Sequence, residues 1–432
     1  MVRKMHLAAY VQGVGAAQGA WRSPRTDPSR AMSLGHWTDL AAIAEEACFD
    51  ALFLADVLTV GDQIVADSTE RPDPVAVLAA LAGFTSKIGL IGTSSTTFNE
   101  PFTVARQFAT LDHLTNGRAG WNIVTTAVAS ASANFGSASL PTHADRYERA
   151  EEFVDVVCSL WEAWDGDAIL ADVETGVYAD RSRIRPIDHV GAQFQVEGPL
   201  PIRKSPQGRL VLSQAGSSGP GMQLGAKWAD LTFTTQHDAT SSKAFVDEVR
   251  ALCGRYGRPH DALKVLPGIM PIIGRTTEEA RERAKEFAGF ISVDRLDPFL
   301  AHHFGGIDFS GLDPDAPFPD IRDRLPSNAS VSRPRLFTEM ALGEGLTVRQ
   351  LAQRVAMGLG HRVIVGTADD IANDLATWFE AGAADGFIVL PADLPEGLRD
   401  FAEQVVPRLQ HRGLFRTEYS GTTLREHLAD ES

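Results

Sequence analysis

Cysteine is scarce in this chain: Cys48, Cys158 and Cys253 are the only three in 432 residues. They stand far apart in segments of helical character, so no disulfide framework or thiolate zinc site is expected, and all three are read as packing residues. Long apolar runs are missing as well. Stretches such as Ile88 to Ile91 and Phe387 to Leu390 fall far short of the ~20 residues that a membrane helix needs. The opening MVRKMHLAAY carries no signal-peptide apolar region or cleavage site, which leads to the expectation of a cytoplasmic protein. Positive charge is in deficit, with 40 Lys and Arg against 56 Asp and Glu for a formal net charge of −16. A surface of that sign repels phosphate backbones and anionic lipid, so neither nucleic acid nor a membrane is an expected partner.

Several catalytic signatures are also lacking. Gly13, Gly15 and Gly19 do not have the spacing of a dinucleotide fingerprint, and no lysine follows the glycine-rich run near Gly216 as a Walker motif would demand. His302 and His303 are adjacent, and neighbours on a helix do not face one ion, so no metal site is expected. A glycosidase needs two facing carboxylates, whereas only Asp56 ends a strand in suitable style.

What the chain does have is material for a large core: 44% hydrophobic and 22% charged residues, close to the globular average. Eight short apolar or β-branched runs precede helical stretches: 6–10, 51–56, 88–94, 119–126, 209–216, 230–235, 265–274 and 386–391. Helix punctuation lies between them. Asp73-Pro74 is an N-cap with proline at the first helical position, and Gly117 ends the stripe Ala105, Phe108, Leu111, Leu114. Thr276 with Glu279, and Thr367 with Asp370, have capping-box spacing. Eight β/α units predict an α/β fold of the (β/α)8 TIM barrel type, with an open doubly wound sheet as the rival. The whole of 1–432 is read as one barrel domain, with irregular insertions at about 165–205 and 294–345.

In such a barrel the chemistry sits where the strands end. Those ends are polar: Asp56 after the second, Ser94 to Thr97 after the third, Asn122 and Thr125 on the fourth, Ser213 and Gln214 closing the fifth. Solvated loops are the ordinary cause of polar strand ends, but Asn122 lies between Trp121 and Ile123, where a carboxamide needs partners. In HADRY, His143 and Tyr147 are four apart and share a helix face, as ligand contacts or simply as the start of an amphipathic helix. In QAGSSGPGM, Ser217 and Ser218 precede a helix whose free amides attract an anion, the ordinary alternative being a flexible Gly/Ser loop. His303, in the second insertion, is a candidate acid/base or substrate ligand, against the common case of an exposed histidine.

The segments AWRSP from Ala20, PFTVARQFATLDHLTNGRAGWNIVTT from Pro101 to Thr126, HADRYERAEEF from His143, QAGSSGPG from Gln214 and HRVIVGTADDIANDL from His361 make the chain resemble the luciferase-like FMN-dependent monooxygenases. The nearest branch is that of nitrilotriacetate, EDTA and dibenzothiophene sulfone monooxygenases. The resemblance implies a β/α barrel, dimeric or tetrameric, that receives FMNH2 from an NAD(P)H:flavin oxidoreductase. With O2 the reduced flavin then forms a C4a-(hydro)peroxide that oxygenates a small organic substrate. It also implies that Asp56, Thr96 and Asn122 lie along the isoalloxazine, while His143, Tyr147, Ser217 and Ser218 take the ribityl and phosphate end. Ser94 falls on the same face of an alternating strand as Thr96, and both are candidates. The alternatives are a barrel oxidoreductase that transfers hydride to or from a flavin or deazaflavin, and a flavin-binding protein without catalysis.

Overall fold

A computed structural model describes residues 3–65, 67–68, 70–137, 139–290, 296–325 and 332–429. In chain order the strands are β1 (His6–Tyr10), β2 (Ala51–Leu54), β3 (Gly89–Ser95), β4 (Ala119–Val124), β5 (Ile169–Asp172), β6 (Val177–Ala179), β7 (His189–Val190), β8 (Gln195–Val196), β9 (Val211–Gln214), β10 (Leu231–Thr234), β11 (Lys264–Ile273), β12 (Arg362–Gly366) and β13 (Gly386–Val389). The helices that matter below are α1 (Leu34–Glu46), α2 (Pro74–Leu81), α3 (Pro101–Leu114), α4 (His143–Glu162), α5 (Gly219–Trp228), α6 (Ala239–Arg255), α7 (Thr277–Gly289), α8 (Leu296–His303), α9 (Ser332–Glu344), α10 (Val348–Gly358) and α11 (Ala368–Glu380).

Strands β1, β2, β3, β4, β9, β10, β11 and β13 pair in that order, all parallel, and β13 returns to β1. The ring is therefore closed and has eight members, as the eight apolar runs predict. Closure leaves no free edge and divides each strand between two faces. Ala51, Phe53, Ile91, Val211, Leu231, Phe233, Leu266, Met270 and Ile388 form an inner cluster. Their neighbours Leu52, Leu90, Trp121, Leu212 and Phe387 pack outward with the helices. Both faces are buried, which is why the strands read as continuous apolar runs. The helices begin where the caps indicated: Asp73 accepts from Ala76 N at 2.9 Å, Thr276 from Glu279 N at 3.2 Å, and Thr367 with Asp370 forms a full capping box.

Three expectations change. A ninth parallel strand, β12, pairs with the second half of β11 outside the closed ring. The segment 165–205 is not wholly irregular, since β5 with β6 and β7 with β8 make two small antiparallel ribbons. Cys48 is not helical but lies beyond α1 with a left-handed φ of 63°; all three cysteines are buried and free. The described parts of 294–345 include α8 and α9, joined in one apolar cluster with α10 and with Phe304, Phe309 and Phe318 of the irregular stretch after α8. No described helix is long and apolar enough to cross a membrane.

The amino-terminal mouth of the barrel is stoppered by the C-terminal helix Leu424–Ala429. Leu424 is fully buried within the inner cluster. It fits because β3 and β4 carry glycine there: a Cβ on Gly89 would stand 2.5 Å from Leu424 Cδ1, and one on Gly120 3.3 Å from its Cδ2. Arg425 ties the helix down, its Nη1 donating to Asp230 at 3.1 Å and its Nη2 to the Arg209 and Leu210 carbonyls at 3.0 and 3.1 Å. Leu424→Ala should cost about 2–5 kcal/mol of stability, because a rigid ring cannot collapse into the void. Urea unfolding measures it, and a cost below about 1 kcal/mol would show that Leu424 is not a packed stopper.

Candidate functional site

The carboxyl end of the barrel is built around one polar row. Register places Thr93 of β3 opposite Asn122 of β4, and Asn122 opposite Ser213 of β9. All three are buried on the inner face. Ser213 Oγ donates to Asn122 Oδ1 at 3.2 Å, Asn122 Nδ2 donates to Thr93 Oγ1 at 2.9 Å, and Thr93 Oγ1 donates to Leu54 O at 2.8 Å. The direction of this chain is forced. Thr93 spends its only proton on a carbonyl, so it must accept from Asn122, which fixes the amide with its nitrogen toward β3. One Nδ2 hydrogen of Asn122 and the lone pairs of Ser213 Oγ remain to meet a ligand. Apolar rings lie nearby in the same inner layer: Phe53 meets Phe233 edge-on with centroids 4.6 Å apart, and Tyr10 stacks on Phe53 at 5.9 Å.

Two carboxylates come from the loop after β2. Asp56 is half-buried, and burial, reinforced by Asp73, raises its carboxyl to about 6. Asp67 is also pushed up by burial, although its Oδ1 accepts from Gly19 N at 2.9 Å and Ser68 N at 3.0 Å. These bonds tie the loop after β1 to the loop after β2, where they border the mouth of the barrel.

The third part lies between the amino termini of α4 and α5. Thr142 caps α4, and the rings of His143 and Tyr147 stand 4.8 Å apart on one face. Burial, with Arg146 adding, lowers the His143 imidazole below its usual range, which favours the neutral ring. Ser218 caps α5, its Oγ accepting from Gly221 N at 3.3 Å. Pro220 has no N–H, so the Gly219 amide is the donor left in that first turn. The approach is close: a Cβ on Gly216 would lie 3.1 Å, and one on Gly221 3.0 Å, from the Tyr147 hydroxyl. Glycine at both positions keeps the cradle open.

The sequence candidates fall unevenly on this geometry. Asn122 is central, Asp56 stands at the rim, and His143, Tyr147 and Ser218 form the α4/α5 corner, with Ser217 exposed on the loop before it. Ser94 and Thr96 do not join the inner row. Ser94 alternates with Gly92, whose missing Cβ points at Leu78 and Phe108 of the helix layer, and its Oγ receives Asn99 Nδ2 at 3.4 Å. Thr96 donates to Val124 O at 3.2 Å, and its own carbonyl receives Arg149 Nε at 3.0 Å. His303 packs its ring on Phe299 and Phe337, on a helix that touches the 3-10 turn Asp62–Val65 of the β2 loop. The side chain of His302 lies outside the described residues.

Sequence reading passed over Thr93, Asp67 and Arg146. Thr93 shares the inner face of β3 with Ile91, but the sequence of that strand does not say which of its faces points inward. Arg146 stands between His143 and Tyr147 in HADRY and is only 2% exposed, an unusual place for a guanidinium.

A planar ring with a phosphorylated tail fits these parts: a polar row flanked by apolar rings, and a glycine-lined corner with an amide and hydroxyls for the anion. A family model described as luciferase-like monooxygenase matches residues 11–385. The chain is 42% identical to the N-acetyl-S-(2-succino)cysteine monooxygenase of Bacillus subtilis (strain 168), covering 99% of this chain and 97% of that protein. It is 41% identical to nitrilotriacetate monooxygenase component A of Aminobacter aminovorans, covering 99% and 96%. Among solved structures, a riboflavin lyase with modified FMN and substrate riboflavin superposes with a TM-score of 0.88 at 32% identity, over 100% of this chain and 97% of that one.

Asp56 generates a pH test. Burial pushes its folded-state carboxyl up to about 6, from the 3.8 of an ordinary aspartate, so the folded state binds the proton more tightly. The penalty for ionising it is absent below the lower value, grows as pH rises between the two, and is complete above 6. Asp56→Asn should therefore raise the melting temperature at pH 7.5 and leave it unchanged at pH 3.5. A shift of equal size at both pH values would contradict the assigned environment.

Proposed function

The chain belongs to the luciferase-like monooxygenase family, and on that premise we propose that it is the oxygenase of a two-component system, taking reduced FMN from a separate NAD(P)H-dependent flavin reductase and using O2 to oxygenate a small organic substrate. The observation that carries the reading is the directed row Thr93–Asn122–Ser213, a buried set of hydrogen-bonding groups with unspent capacity at the carboxyl end of a β/α barrel. The split between two proteins is supported by the relative named as a component A.

Bound in its reduced form, FMN supplies the electrons with which dioxygen is activated. This chain's own residues do the rest. Asn122 meets the polar edge of the ring with its remaining N–H, and Ser213 offers acceptor lone pairs beside it. His143, neutral, and the Tyr147 hydroxyl hold the sugar-alcohol chain. Ser217, Ser218 and the Gly219 amide take the phosphate at the start of α5. Asp56, partly protonated at neutral pH, can give or take a proton at the rim. The loops after β1 and β2, tied by Asp67, exclude the water that would waste the activated oxygen.

Reconstitution with FMN, a flavin reductase, NADH and O2 tests the proposal against a panel that begins with S-succinyl thioethers and aminopolycarboxylates. The expected outcome is product formation that stops without O2 or without the reductase. Turnover of a panel compound under strict anaerobiosis would point to hydride transfer, and turnover without flavin would remove the reading altogether. In fluorescence titrations Asn122→Ala should weaken FMN about tenfold, the worth of one or two hydrogen bonds. Ser218→Ala should weaken FMN but spare riboflavin, which lacks the phosphate. Unchanged affinity in both variants would displace the site.

A further inference from the structure

His361, in the turn before β12, turns its side chain into the barrel. A Cβ on Gly268 of β11 would stand 2.1 Å from His361 Nδ1 and 2.6 Å from its Cε1, so the imidazole fills the space that any larger residue at 268 would need. Two alternations agree on the direction. Gly268 falls between Leu266 and Met270, both members of the inner cluster, and His361 is in phase with Val363 and Val365, which pack on that cluster. Arg362 and Ile364 point the other way: the guanidinium carbon of Arg362 lies 4.0 Å from the Trp378 ring centroid, and Ile364 packs with the helix layer.

The turn that delivers the imidazole is held under strain. Leu359 ends α10 with a left-handed φ of 50°, which residues other than glycine seldom adopt, and Gly360 follows at 85°. A Cβ on Gly360 would meet Phe337 Cε1 at 2.6 Å, and His361 N donates to Gly358 O at 2.7 Å. Held in this way, His361 stays half-buried while Leu266 and Met270 are fully buried, so it stands where the inner layer opens. The opening is at the carboxyl end, since Pro267, next to Gly268, pairs with Thr234, the last residue of β10. In the ring of eight, β11 is four strands from β3 in either direction, which sets the imidazole across the barrel from the Thr93 end of the polar row.

We propose that His361 contacts the substrate, its imidazole donating a hydrogen bond to a substrate carboxylate on the side of the barrel away from the Thr93–Asn122–Ser213 row. That the ligand is a substrate to be oxygenated rests on the function proposed above; the placement of the ring does not. A neutral imidazole has one N–H to give and a charged one two, so it suits an anionic acceptor in either state. Leu266 and Met270 beside it are apolar, and the imidazole is the polar group that β12 adds to this side.

The test uses the full chain, its His361→Ala, His361→Gln and Gly268→Ala variants, whichever S-succinyl thioether or aminopolycarboxylate of the panel the parent consumes, and succinate as a binding probe. KM and kcat come from oxygen uptake, FMN affinity from fluorescence titration, and succinate affinity from calorimetry with and without FMN. H361A should raise KM about tenfold or more, the scale of a hydrogen bond to a charged group, and weaken succinate by a similar factor. Its kcat and FMN affinity should stay within about twofold of the parent, the signature of lost substrate binding. H361Q, whose amide still donates, should keep part of the affinity. G268A retains the histidine, but its Cβ displaces the ring, so it should repeat the H361A result, and the double variant should lose no more than H361A alone. A role confined to packing the turn predicts that H361A and H361Q lower melting temperature, kcat and FMN affinity together and leave KM unchanged, and that result would overturn the proposal. So would a G268A with the KM of the parent, or succinate that binds the parent and H361A alike. If H361A does not fold, H361Q and G268A decide by the same readouts. If the parent consumes no compound of the panel, the oxygenase reading fails on its own; succinate bound by the parent and about tenfold more weakly by the His361 variants still supports the contact, and succinate bound by none of them overturns it.

Discussion

The row from Ser213 through Asn122 and Thr93 to the Leu54 carbonyl depends on a single register between β3, β4 and β9. In a closed ring every strand alternates between the inner face and the helix layer, so a slip by one residue would exchange Asn122 with Trp121. The carboxamide would then sit among helices without partners, at about 1–3 kcal/mol for each unsatisfied group, and the indole would occupy the barrel. Trp121 guards the same register from the other side, since its Nε1 donates to Ser94 O at 3.1 Å. The placement of the loops after β3 and β4, and of α4 beyond them, follows from that alignment.

Charge at the carboxyl end is distributed unequally. Near the ends of β11 and β13, Arg25 pairs with Asp400 at 2.6 Å and with Asp393 at 3.5 Å, and Arg283 pairs with Asp400 at 3.3 Å. Those charges neutralise one another and fasten the AWRSP segment to the end of the chain. Barrel enzymes often bind phosphate after strands seven and eight, but here that region is spent on internal pairing. Among the described buried arginines, Arg146 in the first turn of α4 is held by the Pro141 carbonyl and by no carboxylate. Asp56 and Asp67, both raised by burial, lie on the β2 loop and carry less negative charge at the mouth than their number implies.

Much of the fold was legible because burial on both faces turns barrel strands into apolar runs, and because Asp73, Thr276 and Thr367 mark helix starts by local chemistry alone. β12 escaped notice because RVIVG is only half-buried and pairs along one edge with the far half of β11. The ribbons β5–β6 and β7–β8 are only two to four residues per strand and stay exposed even at Leu170, Val177, Tyr178 and Val190, so no buried face imposes a hydrophobic period to read. At the site, Asn122 and Ser218 were visible as a polar residue within an apolar strand and a cap before a glycine-proline helix start. Thr93 was not, because deciding whether odd or even residues of GLIGTSS face inward needs the neighbouring strand. Arg146 was hidden for another reason: an arginine in the first turn of an amphipathic helix reads as solvated, and only packing reveals that it is buried.

The central claim is that the carboxyl ends of β3, β4 and β9, with the start of α5, form a site for phosphorylated flavin. The most direct measurement is a crystal structure of the protein soaked with FMN. The account predicts the isoalloxazine over the Thr93–Asn122–Ser213 row, within hydrogen-bond distance of Asn122, and the phosphate at Ser218 and Gly219. A flavin found instead near Arg25 and Arg283, at the ends of β11 and β13, would contradict it.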